Sequence, residues 1–322
     1  MSASGWQRLA ASAALWRGRR RRARGRYDRC TRRLLQRAAR FGGPSARLDY
    51  ALFRRDLGHP LHPRLERPLH EALPALRRSK RWNARALLRE ADSSRASDDA
   101  AAELGIGVAE VAARQEQWRD GFRRALAAAA ATRGICVVGN AGALAGTRLG
   151  ETIDTAGVVI RFNDFGLDGS ADADIGRRTT VWVTNPGYRG PRFDRAEWVV
   201  ISGPDVSYRL RDWSRFEERV RRGEPLLTVP LDVWRDLVRV LHAPPSAGVL
   251  MLAWLHALLD SWTGISAAGI GVNGGAVYHL RRSYRRSNRH DWAAEASLVA
   301  RWVDSGLTRL PSAGLPLAES AR

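Results

Sequence analysis

From residue 134 onward the chain alternates short Val- and Ile-rich runs with helix-length stretches, and this alternation limits the fold more than any other feature. Strand-like runs fall at 134–138, 156–162 (AGVVIRF), 180–184 (TVWVT), 197–201 (EWVVI), 226–229 and 264–270 (GISAAGI). Helical stretches are expected at 143–154, 212–222, 231–241 and 247–262, and before them an Ala-rich helix at 107–131 that Gly134 closes. Apolar strands of this length, separated by helices, predict an α/β domain with a mostly parallel, Rossmann-like sheet flanked by helices. In such sheets ligands gather outside the carboxyl ends of the strands. The ends to examine are therefore Gly139–Gly142, Asn163–Phe165 and Gly271–Asn273.

The first of these ends reads ICVVGNAGALAG (135–146). Glycines allow close backbone approach to a ligand, and a following helix start offers free N–H groups to an anion. The spacing of Gly139, Gly142 and Gly146 is not that of a dinucleotide fingerprint, and no Gly-Lys-Ser/Thr follows as in a P-loop. Read alone, the stretch fits a nucleotide site or a turn that packs a helix tightly.

Charge is unevenly spread. The formal net charge is +20, but residues 1–40 carry thirteen Arg against one acid, Asp28, which accounts for +12 of it. Lys80 is the one lysine, so the positive charge is almost wholly arginine. The leader 7–40 is read as a basic arm, helical or disordered, with Trp6, Trp16, Leu34 and Leu35 as its apolar contacts. If helical, it fits peripheral contact with an anionic membrane. Aromatic residues do not fall at RNA-recognition spacing, so nucleic acid is not an expected partner, and binding there would weaken steeply with salt. The apolar run LAASAALW (9–16) is too short to span a bilayer and is flanked by Arg8 and Arg17. Two cysteines, Cys30 and Cys136, do not make a disulfide framework. The expected location is the cytoplasm, peripheral at the membrane if the arm engages it.

Residues 41–100 show no clear periodicity, and His59, His62 and His70 lack acidic or cysteine partners at metal-ligand spacing. The expected division is a basic arm at 1–40, a largely helical extension at 41–133, a ligand-binding α/β domain at 134–310 and a disordered tail at 311–322.

Downstream of the first turn come GETIDTAGVVIRFND (150–164), DADIGRRTT (172–180), PSAGVLMLAWLHALLD (245–260), YHL (278–280) and HDWAAEASLVARWVDSG (290–306). Taken in order, this series resembles the sialyltransferases of glycosyltransferase family 29. The first blocks are similar to the large sialylmotif, PSAG with its apolar helix to the small one, and His290 with Glu295 to the very small His-x4-Glu motif. YHL corresponds to a short histidine motif. The resemblance covers about residues 134–306 and implies a Rossmann-like, GT-A-like domain. It further implies an inverting transfer of sialic acid, or a related ulosonic sugar such as Kdo, from a CMP-sugar to a hydroxyl of a glycan or glycolipid, without a metal or other cofactor.

Residue by residue, the resemblance implies donor contacts from Gly139, Asn140, Gly142 and Asn163. It places Ser246 and Gly248 on the CMP moiety and Gly271 beside the cytidine, with His279 steadying the leaving phosphate. His290 is the implied general base. The residue chemistry agrees, since taking a proton from a hydroxyl near neutral pH suits an imidazole. A helix start is expected to disfavour the imidazolium of His290, and Glu295 one turn on is expected to orient the helix start. Asp172 and Asp174 have no third ligand nearby, and Asp291 stands apart from them, so no metal is expected. The chain departs from the family at Ala141, where serine is usual, and at Ala247, where threonine is frequent. The family's cysteine should fall at Ile135, one residue before Cys136, and its partner region near Leu258 holds none. A rival reading is a protein of the same fold that binds nucleotide or glycan with impaired catalysis.

Overall fold

The computed structural model describes residues 3–91, 106–165, 169, 171–184, 188, 190, 193, 195–202, 216–271, 280, 287 and 289–312. The Val- and Ile-rich runs form strands β1 (Ile135–Val138), β2 (Val158–Phe162), β3 (Val181–Thr184), β4 (Trp198–Ile201), β5 (Leu226–Thr228) and β6 (Ile265–Ala268). A two-residue strand β7 (Thr308–Arg309) completes a seven-stranded sheet in the order β5-β4-β3-β2-β1-β6-β7. Every neighbouring pair is parallel. The sheet is thus α/β and parallel as expected, with β7 added at one edge.

β1 leads to β2 on one side, whereas β6, which pairs β1 on the other side, leads outward to β7. The order in which strands are added therefore reverses between β1 and β6, and it is beyond the carboxyl ends of such a strand pair that ligands gather in this type of sheet. The turns there begin at Gly139, which the sequence marked, and at Gly269, two residues before the marked Gly271.

Successive strand residues face opposite layers. Ile135 and Val137 join Trp118, Phe122 and Leu126 of helix α6 (Ile106–Ala130), Val220 of α9 (Glu217–Arg221), Trp234 and Leu237 of α10 (Leu231–Leu241) and Leu250 and Trp254 of α11 (Ala247–Leu259) in the main core. Phe122 lies 5.1 Å from Trp198 and 5.5 Å from Trp254, ring centre to ring centre. The expected N-terminal extension ran to residue 133, yet α6 buries its apolar face in the core of the sheet. On the other face Cys136 and Val138 pack with Leu144, with Ile153 of α7 (Gly150–Thr155) and with Ile175 of α8 (Asp172–Ile175).

This alternation explains the displaced cysteine. A residue at 135 faces the layer that holds Leu258, whereas Cys136 faces away from it. Cys136 and Cys30 are both free thiols, and burial pushes the Cys136 thiol up.

The arginine-rich leader is helical. α1 (Ala3–Ala23) folds back on α2 (Arg29–Phe41), whose first turn is capped by Asp28 accepting from the Thr31 N–H at 2.9 Å. Arg22 donates through Nε to Asp56 at 2.9 Å, Arg19 to Asp49 at 3.0 Å, and Arg21 pairs with Asp28. Leu35 is fully buried and Leu34 packs inward, so of the apolar contacts expected for a single basic helix only the tryptophans face solvent.

Helices α3 (Pro44–Asp56), α4 (Pro63–Ala72) and α5 (Arg78–Ala91) follow, sharing a small core of Leu48, Leu52, Leu69, Leu76 and Leu87. Their periodicity is broken in the sequence by prolines, Pro63 at the first turn of α4, where proline suits a helix, and Pro68 inside it. His62 caps α4, its Nδ1 accepting from the Arg64 N–H at 3.2 Å. No helix among the described residues is long and apolar enough to cross a membrane.

Candidate active site at the carboxyl ends of β1 and β6

The turn after β1 is held against the turn after β6. The Gly139 N–H donates to the Ala268 carbonyl at 2.8 Å, and a Cβ on Gly139 would stand 2.4 Å from the Gly269 carbonyl oxygen. Only glycine allows that approach. The Asn140 amide Nδ2 donates to the Phe162 carbonyl at 2.9 Å and reaches the Asp164 carbonyl at 3.4 Å, tying β1 to the end of β2. Two carbonyl partners fix which end of the amide is nitrogen. Its Oδ1 is then left as a buried acceptor with no donor among the described residues. A buried acceptor of this kind is costly unless something donates to it.

Gly142 opens a single 3-10 turn, Gly142–Leu144, where the sequence suggested a helix over 143–154. The helical part is confined to α7. Asp174 explains the interruption, because its carboxylate accepts from the Gly146 N–H at 2.8 Å and the Arg148 N–H at 2.9 Å. Asn163 sits at the end of β2 in the left-handed region, φ 47°, which asparagine tolerates better than most residues. Its carbonyl accepts from the Trp182 indole at 2.9 Å, and its Oδ1 accepts from the Thr184 hydroxyl at 3.3 Å.

Asp172 and Asp174, which invited a metal reading, have other work, and so does Asp154, which the sequence did not mark. Asp154 accepts from the backbone N–H groups of Arg177 and Arg178, each at 2.9 Å, and Asp172 pairs with Arg177. Arg161, fully buried in β2, donates to the Arg178 carbonyl at 2.8 Å. Burial lowers its pKa to about 10 against the opposing pull of Asp154. These contacts pin the loop that carries DIGRRTT. Among the described residues no group of three His, Cys, Asp or Glu is placed to hold a metal ion.

The second half of the site comes from two helix starts. Ser246 is the N-cap of α11, its hydroxyl accepting from the Val249 N–H at 3.5 Å. α12 (Trp292–Asp304) begins at its own cap, Asp291, which accepts from the Ala294 N–H at 3.0 Å. Glu295 was expected to orient the start of its own helix, but its carboxylate crosses to the other one. It accepts from the Ser246 N–H and the Ser246 hydroxyl, both at 2.6 Å, and is only 2% exposed. The donors of Ser246 are therefore committed to Glu295. The first-turn N–H groups of Ala247 and Gly248 are beyond reach of any intrahelical carbonyl.

Gly248 lies against the Ile270 side chain, which also borders Gly139, so the α11 start and the β1 turn are contiguous. Gly271, φ 67°, lies so close to Val299 of α12 that a Cβ there would stand 2.7 Å from the valine Cβ.

His290 precedes the α12 cap and is half-buried, its ring 5.0 Å from that of Trp292. Its Nδ1 is 2.8 Å from the Pro244 carbonyl oxygen. A carbonyl can only accept, so Nδ1 carries the proton and Nε2 presents a lone pair. Burial first, and then the neighbouring Arg289, lowers the His290 pKa, against the Pro244 hydrogen bond, which raises it. The direction is the one expected from a helix start, but desolvation is the main cause. Pro244 left no signal in the sequence beyond preceding PSAG, because a backbone carbonyl has no residue type. His279 lies outside the described residues. Leu280 is tied to the first turn by its N–H, which donates to the Asn140 carbonyl at 2.9 Å.

A parallel sheet covered on both faces, with glycine turns where its winding order reverses, defines the class: a doubly wound α/β protein, a fold in which ligands gather at the switch point. Residues 121–208 match the profile of glycosyltransferase family 29 (sialyltransferase). The matched segment holds Asn140 and Asn163, whereas Ser246, His290 and Glu295 join the site through the contacts above.

No curated protein matches the chain. Among solved structures, a mammalian sialyltransferase in complex with Gal-beta-1-3GalNAc-ortho-nitrophenol is 18% identical with a TM-score of 0.45, over 56% of this chain and 70% of that one. A second structure of a mammalian sialyltransferase gives 18% and 0.45, over 56% and 69%.

Proposed function

We propose that the chain transfers sialic acid, or a related ulosonic sugar, from a CMP-sugar to a hydroxyl of a glycan or glycolipid with inversion at the anomeric carbon. The observation that carries this reading is that an imidazole with a free Nε2 at the α12 start, a locked α11 start and the unsatisfied Asn140 Oδ1 are linked by contacts near the carboxyl ends of β1 and β6. His290 Nε2 takes the proton of the acceptor hydroxyl as its oxygen attacks the anomeric carbon. The bond from that carbon to the phosphate oxygen breaks, and CMP leaves with the electron pair. Asn140, with Gly139, Gly142 and Asn163 shaping the turns around it, receives the nucleotide-sugar. The Ala247 and Gly248 N–H groups, at the positive end of a helix, meet the phosphate. Gly271 keeps α12 close to the nucleotide, and His279 is assigned to the leaving phosphate.

The proposal assigns no metal, because Asp154, Asp172 and Asp174 are engaged by backbone N–H groups or arginine. Two free thiols fit a reducing compartment such as the cytoplasm.

A nucleotide that binds only the folded state must stabilise it. CMP is expected to raise Tm, with UMP and GMP at the same concentration giving little shift. Asn140→Ala should weaken CMP binding by about tenfold, the effect of losing one buried hydrogen bond. Equal shifts from all three nucleotides, or an unchanged CMP shift in the variant, would overturn the assignment.

A further inference from the structure

We propose that the outer face of α1 is a docking surface for an anionic lipid bilayer. Five large apolar side chains stand out as exposed among the described residues, and three of them lie on α1: Trp6 (64% exposed), Leu9 (55%) and Trp16 (59%). Their spacing of three and seven residues sets them along one stripe of the helix. Ala11, Ala14 and Gly18 form the opposite face and are buried, Gly18 directly against Leu35 of α2. The stripe is therefore the side that the rest of the molecule leaves uncovered.

Charge identifies the occupant. Arg8, Arg17 and Arg20 are exposed beside the stripe, and Arg20 lies over the Trp16 ring, 5.3 Å from its centre. The three arginines that make ion pairs, Arg19, Arg21 and Arg22, reach Asp49, Asp28 and Asp56. Those pairs tie the helix to the rest of the protein. α1 contains no acidic residue, so nothing on it opposes a negative surface.

Tryptophan and leucine on one face, with arginine at the margins, is the pattern of a helix lying in a lipid interface. Its apolar face sinks to the acyl boundary and its cations meet headgroups. A nucleic acid would use the cations but gain little from a leucine between two tryptophans. A second copy of the chain would bring an equal positive charge against this one.

The full chain is tested by flotation with vesicles of phosphatidylcholine alone and with one-third phosphatidylglycerol. Binding is expected only to the anionic vesicles. A Trp6→Ser, Leu9→Ser, Trp16→Ser triple variant should lose at least about tenfold in partitioning, since three interfacial anchors are removed. These side chains are exposed, so the circular dichroism spectrum and Tm should stay those of wild type. Val240→Ser, at an exposed apolar residue elsewhere, should bind as wild type.

Should the triple variant prove unstable, quenching of wild-type tryptophan fluorescence by brominated lipid replaces it, and quenching is expected. Equal binding to both vesicle types, unchanged binding of the triple variant or absence of quenching would overturn the proposal. So would concentration-dependent dimerisation abolished by the triple variant without vesicle binding, or binding of single-stranded RNA in place of vesicles.

Discussion

Replacing His290 with alanine is expected to lower the rate of sugar transfer by about 10²–10⁴-fold, the usual contribution of a positioned general base. The proposed nucleotide contacts come from other elements, so the stabilisation by CMP should survive the change. His290→Gln should be as inactive as the alanine variant, because an amide cannot take the proton. The comparison is a kcat measurement with saturating donor, alongside the CMP-induced Tm shift. Transfer at the wild-type rate would remove the imidazole from the mechanism.

The wild-type pH profile carries the same claim. Burial holds the His290 pKa below its ordinary value of 6.5. The acid limb of kcat/KM is therefore expected below pH 6.5, with the base fully competent at neutral pH. Stability follows the same group: between the lowered native pKa and 6.5 the unfolded chain binds more protons, so stability from this group falls as pH drops through that window.

Glu295→Ala is expected to cost about 2–4 kcal/mol of stability, because two short bonds to Ser246 vanish and the buried space they occupied is left open. Ser246→Ala removes only the hydroxyl and should cost about 1 kcal/mol, in the range of an N-cap loss. Glu295→Gln keeps one acceptor oxygen but turns its NH2 toward a donor, and should fall between them. Urea denaturation separates the three. In the alanine variant the α11 start also loses its anchor on α12, so the KM for the donor should rise. A Glu295→Ala protein as stable as wild type would mean that this bridge is not what joins the two helix starts.

Much of the sheet is legible in the sequence, because buried parallel strands are continuous apolar runs with few alternatives. The ends of β1 to β6 lie within two residues of the runs that predicted them, and the helices at 231–241 and 247–259 are equally plain. What sequence could not show is what depends on distant partners. β7 is two residues long and exists because Ser266 and Ala267 of β6 offer an edge. The stretch 143–154 has helical composition, but Asp174, far along the chain, draws residues 146–148 into a turn.

Helices α3 to α5 hide behind prolines and histidines that act as first-turn and capping residues. At the site, the residue types of His290 and Glu295 could be marked from their motif, but not their partners. The carbonyl of Pro244 sets the imidazole tautomer, and the carboxylate of Glu295 serves the neighbouring helix. Both are contacts across more than forty residues of chain.

The central claim is most directly tested by following CMP release from CMP-sialic acid and from CMP-Kdo in EDTA, with and without a mixture of glycan acceptors. The account predicts release from one of the two donors, faster with acceptor present and abolished by His290→Ala. No release from either donor under any of these conditions, or release that His290→Ala leaves intact, would contradict it.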